Sequence, residues 1–210
     1  MGLRPHDLVR LSEPGAVLNA DPAPPAWVAP ALAMAPFAVV RRCGAAPPGM
    51  VPVGVRGRTR SERFAAQVPV AAIAGCLAPE RLALERAWEQ ARRRTSMPAL
   101  AALAAAAPWL DDLGLPWGPV GGIGFELATG IPVLTVASDV DLLVRAAGPL
   151  DLGKLQALAA RLATMPARFD VQLELDAGAV ALAEICREAR GTVLLRTARG
   201  PRLVAWPGEP

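Results

Sequence analysis

Along the chain the rhythm of apolar and polar positions changes near Ala78. Before it, proline recurs and two short apolar runs stand out, Phe37 to Val40 and Val51 to Val55. Both are rich in β-branched residues and read as strands. Both lead into arginines: Arg41 and Arg42, then Arg56, Arg58, Arg60 and Arg63. After Ala78 the residues become helix formers. Pro79 opens PERLALERAWEQARRR, with proline in the first turn and arginines by Arg94, an order that suits the helix dipole. Ser96 is a candidate N-cap for the alanine-rich stretch to Ala107, which Pro108 should break. Leu152, Leu155, Leu158, Leu162 and Met165 form a stripe at helical spacing behind Asp151, a candidate cap. A last helix is expected from about Ala179 to Arg190, closed by Gly191.

Strand-like segments lie between these helices: Ile123 to Leu127, Leu134 to Val136, Val140 to Val144, and Phe169 to Leu175. Thr192 to Thr197 and Arg202 to Trp206 suit a hairpin around Ala198, Arg199 and Gly200. The sequence therefore predicts an α+β protein. Residues 1–78 would form a small strand-rich domain and residues 79–210 a second domain with a mixed sheet flanked by helices. No internal repeat is evident.

Composition narrows the function classes. The hydrophobic fraction of 53% owes much to alanine, and the net charge is only +3. So small an excess does not demand nucleic acid as a partner, and none is expected. Lys154 is the only lysine, so the cations are almost all arginines, which suit paired recognition of phosphate oxygens. The longest uncharged stretch, Pro22 to Val40, is interrupted by four prolines, and no membrane span is expected. The start, MGLRPHDLVR, lacks the apolar core of a signal peptide, and His6 stands where a myristoylation site needs Ser or Thr. Cys43, Cys76 and Cys186 share no C-x-x-C spacing, which fits reduced thiols in the cytoplasm. With one histidine, a histidine-rich zinc site is not expected.

The chemistry concentrates in WGPVGGIGFELATGIPVLTVASDVDLLVR. Asp139 and Asp141 stand at i and i+2 of a predicted strand, so both project from one face while Val140, Leu142 and Val144 take the other. Two carboxylates so close call for a cation, and oxygen-only ligands favour magnesium, with manganese as an alternative. In the later strand Arg168, Asp170, Gln172 and Glu174 share a face. If this strand pairs beside the first, Asp170 completes a three-carboxylate site. Gly121 and Gly122 precede these acids and would let a bare backbone approach a phosphate. Each element alone has a plain explanation, since D-x-D is often a solvated edge and paired glycines usually mark a turn. Their combination is more specific.

This arrangement resembles the DNA polymerase β-type nucleotidyltransferase superfamily, whose members carry a Gly-Gly or Gly-Ser turn, a strand D-x-D and a third strand acid. That resemblance implies two magnesium ions bridging the carboxylates and a substrate triphosphate. More narrowly, the chain resembles the phosphoribosyl-dephospho-CoA transferases of malonate decarboxylase, its holo-acyl-carrier-protein synthases, over nearly the whole length. HDLVRL from His6, VPVGVRGRTRSERFAA from Val51, GLPWGPVGGIGFELATG from Gly114, SDVDLLVR from Ser138, RFDVQLEL from Arg168 and TVLLRTARGP from Thr192 carry the likeness. One departure is that the family usually has Gly-Ser where this chain has Gly121-Gly122.

The resemblance implies transfer of phosphoribosyl-dephospho-CoA from 2′-(5″-triphosphoribosyl)-3′-dephospho-CoA to a serine of the acyl carrier subunit, with release of diphosphate. The partner would supply the nucleophile, so this chain needs no catalytic Ser, Cys or His. Asp139 and Asp141 would hold the metals, and Asp170 would bind the activating metal or accept the serine proton. Arg56, Arg58, Arg60 and Arg63 are candidates for the triphosphate or an acidic carrier surface, against a solvated loop. Arg145 is a candidate for a phosphate, against a structural ion pair. His6 and Asp7 match the family pattern and are expected to be structural. The alternatives are another metal-dependent nucleotidyltransferase of the superfamily, or a binding module without activity.

Overall fold

The computed structural model describes residues 2–18, 23–44, 46–59, 61–187 and 191–206. The chain divides into two compact units, Met1–Ala78 and Pro79–Pro210.

In the first unit come β1 (Leu8–Leu11), α1 (Gly15–Leu18), α2 (Val28–Met34), β2 (Phe37–Val40), β3 (Met50–Arg56), β4 (Arg63–Pro69) and β5 (Ile73–Leu77). The strands form one antiparallel sheet in the order β4-β3-β2-β1-β5. Alternation builds its core: Val51, Val53 and Val55 of β3 are buried with Val9, Leu11, Val28 and Leu32. The expected runs are β2 and the body of β3. The strands β1, β4 and β5 escaped notice because they are short or carry small and polar residues, so pairing rather than apolarity makes them strands.

The chain enters β1 through a tight turn. The Asp7 N–H donates to the Arg4 carbonyl at 3.1 Å, with Pro5 second and His6 third at φ 73°. That is the pattern of a type II turn. The Asp7 carboxylate is buried and accepts the Arg4 N–H at 2.9 Å. The His6 N–H donates to the Val40 carbonyl, and the Val40 N–H to the Asp7 carbonyl. His6 and Asp7 thus lace the entering chain to β2, a structural task.

In the second unit come α3 (Pro79–Leu84), α4 (Pro98–Asp111), β6 (Trp117–Pro119), α5 (Gly121–Thr129), β7 (Val140–Arg145), α6 (Leu152–Ala163), β8 (Phe169–Leu175), β9 (Gly178–Ala181), α7 (Leu182–Arg187), β10 (Thr192–Thr197) and β11 (Gly200–Ala205). One mixed sheet runs β11-β10-β9-β8-β7-β6. Among the described residues β7 and β8 run parallel and the other neighbouring strands antiparallel. Helix α6 makes the crossover, capped as expected by Asp151, whose side chain accepts the Lys154 N–H at 3.0 Å. Its Leu155, Leu158 and Leu162 join Val140, Leu142, Val144, Val171 and Leu173 in one core, closed by Leu100, Leu103 and Leu110 of α4. The α+β class stands.

Several elements differ from expectation. The helix from Pro79 stops at Leu84, because Arg86 is left-handed at φ 48°, ψ 45°. Arg86 is held there by Asp111 and lies over the Trp88 ring at 5.4 Å. Asp111 also accepts the Trp117 indole N–H at 2.9 Å, tying α4 to β6. Met97, not Ser96, is the N-cap of α4, with Pro98 in the first turn. That helix runs through Pro108 to Asp111: one missing N–H is tolerable where so many alanines and leucines are buried. Residues 134–136 form no strand. The segment from Gly178 begins as β9 and becomes helical only at Leu182, while the expected end at Arg190 lies outside the described residues. No helix among the described residues is long and apolar enough to cross a membrane.

Candidate active site

The site begins where β6 passes into α5. Ile123 to Leu127, expected as a strand, lies within this helix. Ile123 and Leu127 have i,i+4 spacing, and Gly130 ends the helix at φ 72° with its N–H on the Glu126 carbonyl at 2.8 Å. The glycines of this segment have a tertiary cause. Gly124 packs so close to β6 that a Cβ there would lie 2.5 Å from the Pro119 carbonyl oxygen.

Gly121 opens α5 at φ 59°, and a Cβ on it would lie 2.0 Å from Asp141 Oδ2. The Val120 N–H donates to the Asp141 carbonyl at 2.9 Å. The Asp141 carboxylate therefore lies against the first residue of a helix, where a negative charge is favoured and only glycine leaves room for it.

Asp141 is in β7 and Asp170 in β8, and the two are register partners. Level residues on neighbouring strands share a face. The pairing anticipated from the alternation of RFDVQLEL is therefore present. Asp139 differs: it precedes β7, whose first residue is Val140. Asp139 abuts the first strand residue, so its placement depends also on the segment leading in from Gly130. Among the described residues no three His, Cys, Asp or Glu side chains are arranged to hold a metal ion. Asp139, Asp141 and Asp170 are thus not a ready-made three-carboxylate cage. In donor chemistry the set still fits a hard cation, since carboxylates supply oxygen-only ligands.

The remaining candidates separate. Arg145 shares its strand face with Asp141, but its side chain is almost wholly buried and its Nε donates to Glu80 of α3. It is a structural ion pair, not an available phosphate ligand. Arg56 ends β3 as the register partner of Arg63, and Arg58 is exposed beyond it, both in the first unit. Arg60 lies outside the described residues. Near Arg58, Glu62 is held below the usual carboxylate range by the Thr59 backbone N–H, which it accepts at 2.9 Å.

Two features went unread in the sequence. Beside Asp170 opens a pocket of about 450 Å³, lined by Leu162, Met165, Phe169, Val171 and Leu182, with Arg168 at its edge. Its parts come from α6, β8 and α7, so no single segment announces it. The other is Glu126, buried in α5 and paired with Arg93 at 3.2 Å. A glutamate inside the apolar run GIGFELATG was the available signal.

Comparison with known proteins makes the class a transferase. The model of the phosphoribosyl-dephospho-CoA transferase MdcG C-terminal domain matches residues 81–207, and that of the N-terminal domain matches residues 4–79. The chain belongs to the phosphoribosyl-dephospho-CoA transferase family. It is 44% identical over 205 residues to the Pseudomonas putida (strain W619) phosphoribosyl-dephospho-CoA transferase, covering 97% of this chain and 94% of the relative. The Klebsiella pneumoniae (strain 342) relative of the same name is 43% identical over 204 residues, with 97% and 95% covered. That of Azotobacter vinelandii is 42% identical over 208 residues, with 97% and 93% covered. No solved structure gives a significant match.

Proposed function

We propose that this chain transfers phosphoribosyl-dephospho-CoA from 2′-(5″-triphosphoribosyl)-3′-dephospho-CoA to a serine of the acyl carrier subunit of malonate decarboxylase, in the cytoplasm. The observation that carries the mechanism is the Asp141–Asp170 register pair, with Asp141 against Gly121. The family match supplies the substrate class.

In this reading the carrier serine oxygen attacks the innermost phosphorus of the triphosphate. A new P–O bond forms, the bond to the next bridging oxygen breaks, and diphosphate leaves. Asp170 would either join the metal carboxylates or accept the serine proton. Asp139 and Asp141, with Asp170, are the proposed metal carboxylates. Magnesium, or manganese in its place, would when bound supply positive charge against the phosphates as they become more negative. The opening backbone of α5, Gly121 and Gly122, is the proposed phosphate contact, since helix N-termini favour anions. The absence of the usual Gly-Ser hydroxyl leaves that contact to the backbone. Arg56 and Arg58 are proposed for the triphosphate or an acidic carrier surface.

The decisive experiment mixes the protein with magnesium, the dephospho-CoA triphosphate and the apo carrier, and weighs the carrier by mass spectrometry. A gain equal to phosphoribosyl-dephospho-CoA is expected. Ordinary nucleoside triphosphates used instead would replace this reading with another nucleotidyl transfer, and no turnover of any triphosphate would leave a binding module.

A further inference from the structure

Glu126 is buried in α5, yet it faces outward from its own helix to grip the segment that follows. Its Oε2 accepts the N–H groups of both Val133 and Leu134 at 2.8 Å. The Arg93 guanidinium bridges both carboxylate oxygens, at 3.3 and 3.2 Å. The other Arg93 terminal nitrogen donates to the Leu134 carbonyl at 2.8 Å. Leu134 is thus held by its N–H and its carbonyl from two sides, and its side chain is buried.

The tie extends toward the acids. The Thr135 N–H donates to Ser138 Oγ at 2.9 Å, and the Ser138 N–H returns to the Thr135 carbonyl at 3.1 Å. Val140 then enters the sheet through its N–H to the Arg168 carbonyl at 2.8 Å. Asp139 is the single residue between that closed turn and the sheet. The same helix that meets Asp141 at its first residue therefore anchors, through Glu126, the segment that delivers Asp139.

We propose that Glu126 and Arg93 are positioning residues: they lock the turn from Val133 to Ser138 and so set where Asp139 stands relative to Asp141. A carboxylate suits this task because it accepts two backbone N–H groups and an arginine together, and charge-assisted bonds of that kind are the stronger ones. The inference rests on the assignment of Asp139 to the metal site in the proposed function.

Glu126→Gln keeps the shape and removes the charge, and Arg93→Lys provides a second variant should the first fold poorly. At a temperature well below unfolding, both are expected to raise the magnesium concentration for half-maximal transfer about tenfold. The KM for the carrier should not change, and added magnesium should rescue Glu126→Gln but not Asp139→Asn. Manganese binding to the enzyme with no substrate turnover, followed by electron paramagnetic resonance, should weaken by a similar factor. Lower thermal stability with unchanged magnesium requirement and manganese affinity overturns the positioning role and leaves a purely structural clamp. If the wild-type protein transfers nothing to the carrier, the proposed function fails instead, and the manganese measurement still decides the inference. A wild-type protein that binds no manganese overturns it.

Discussion

Asp141 of β7 and Asp170 of β8 are partners in the parallel pairing of the two strands. Neighbouring strands lie about 4.8 Å apart, so the sheet itself holds these two carboxylates side by side. The neighbouring pairs Leu142–Val171 and Val144–Leu173 are sunk in the core. A slip of one residue would put Asp170 in that core, so the hydrophobic face enforces the register that the acids need.

Replacing either acid tests this directly. Asp141→Asn is expected to lower transfer to the carrier by roughly 10³-fold, the size of several kcal/mol of charge stabilisation at a metal-assisted transition state. Asp139→Asn and Asp170→Asn should also impair transfer. Urea unfolding midpoints should change little, so that a lost rate reports the chemistry and not the fold. Full activity in Asp141→Asn would remove the basis of the proposed mechanism.

The two crowded glycines of α5 should fail in different ways. Gly121→Ala sets a Cβ against the Asp141 carboxylate, whose position must shift, so the carrier-modification rate should fall by about tenfold or more, equivalent to at least about 1.4 kcal/mol. Gly124→Ala meets the unyielding Pro119 backbone and should cost about 1–3 kcal/mol of stability, as overpacking does. Rates and unfolding curves measured on both variants separate the effects; equal stability loss with equal activity loss would contradict the assignment.

Arg145 should behave as a fold residue. Arg145→Met leaves Glu80 without its buried partner and should destabilise the protein by about 3 kcal/mol. Adding Glu80→Gln should recover much of that loss. The KM for the triphosphate should stay unchanged in the folded protein; a large rise would return Arg145 to the phosphate.

Much of this was legible locally. The alternation in SDVDLLVR and RFDVQLEL shows which residues share a face, and the stripe behind Asp151 marks α6. The valines of β3 likewise show their buried side. The α5 segment misled because its glycines look like turn residues, whereas the close approach of Pro119 and Asp141 requires Gly124 and Gly121. Pro108 misled for a similar reason, since the buried face of alanines and leucines carries α4 past a residue that ordinarily breaks helices.

By itself the sequence determined the acid residues, the faces of their strands, the α+β class and the motifs of a transferase family. Only the tertiary structure decided that Asp141 and Asp170 stand level, that Asp139 lies outside the strand, and that Arg145 belongs to Glu80. It alone joined Arg93 and Glu126 to Leu134. The physical reason is range. Periodicity records what a residue does within its own helix or strand, whereas Arg145 and Glu80 are 65 residues apart and Arg93 and Leu134 are 41 apart. Such pairings form only when the sheet and its helices bring distant segments together, and no local pattern encodes them.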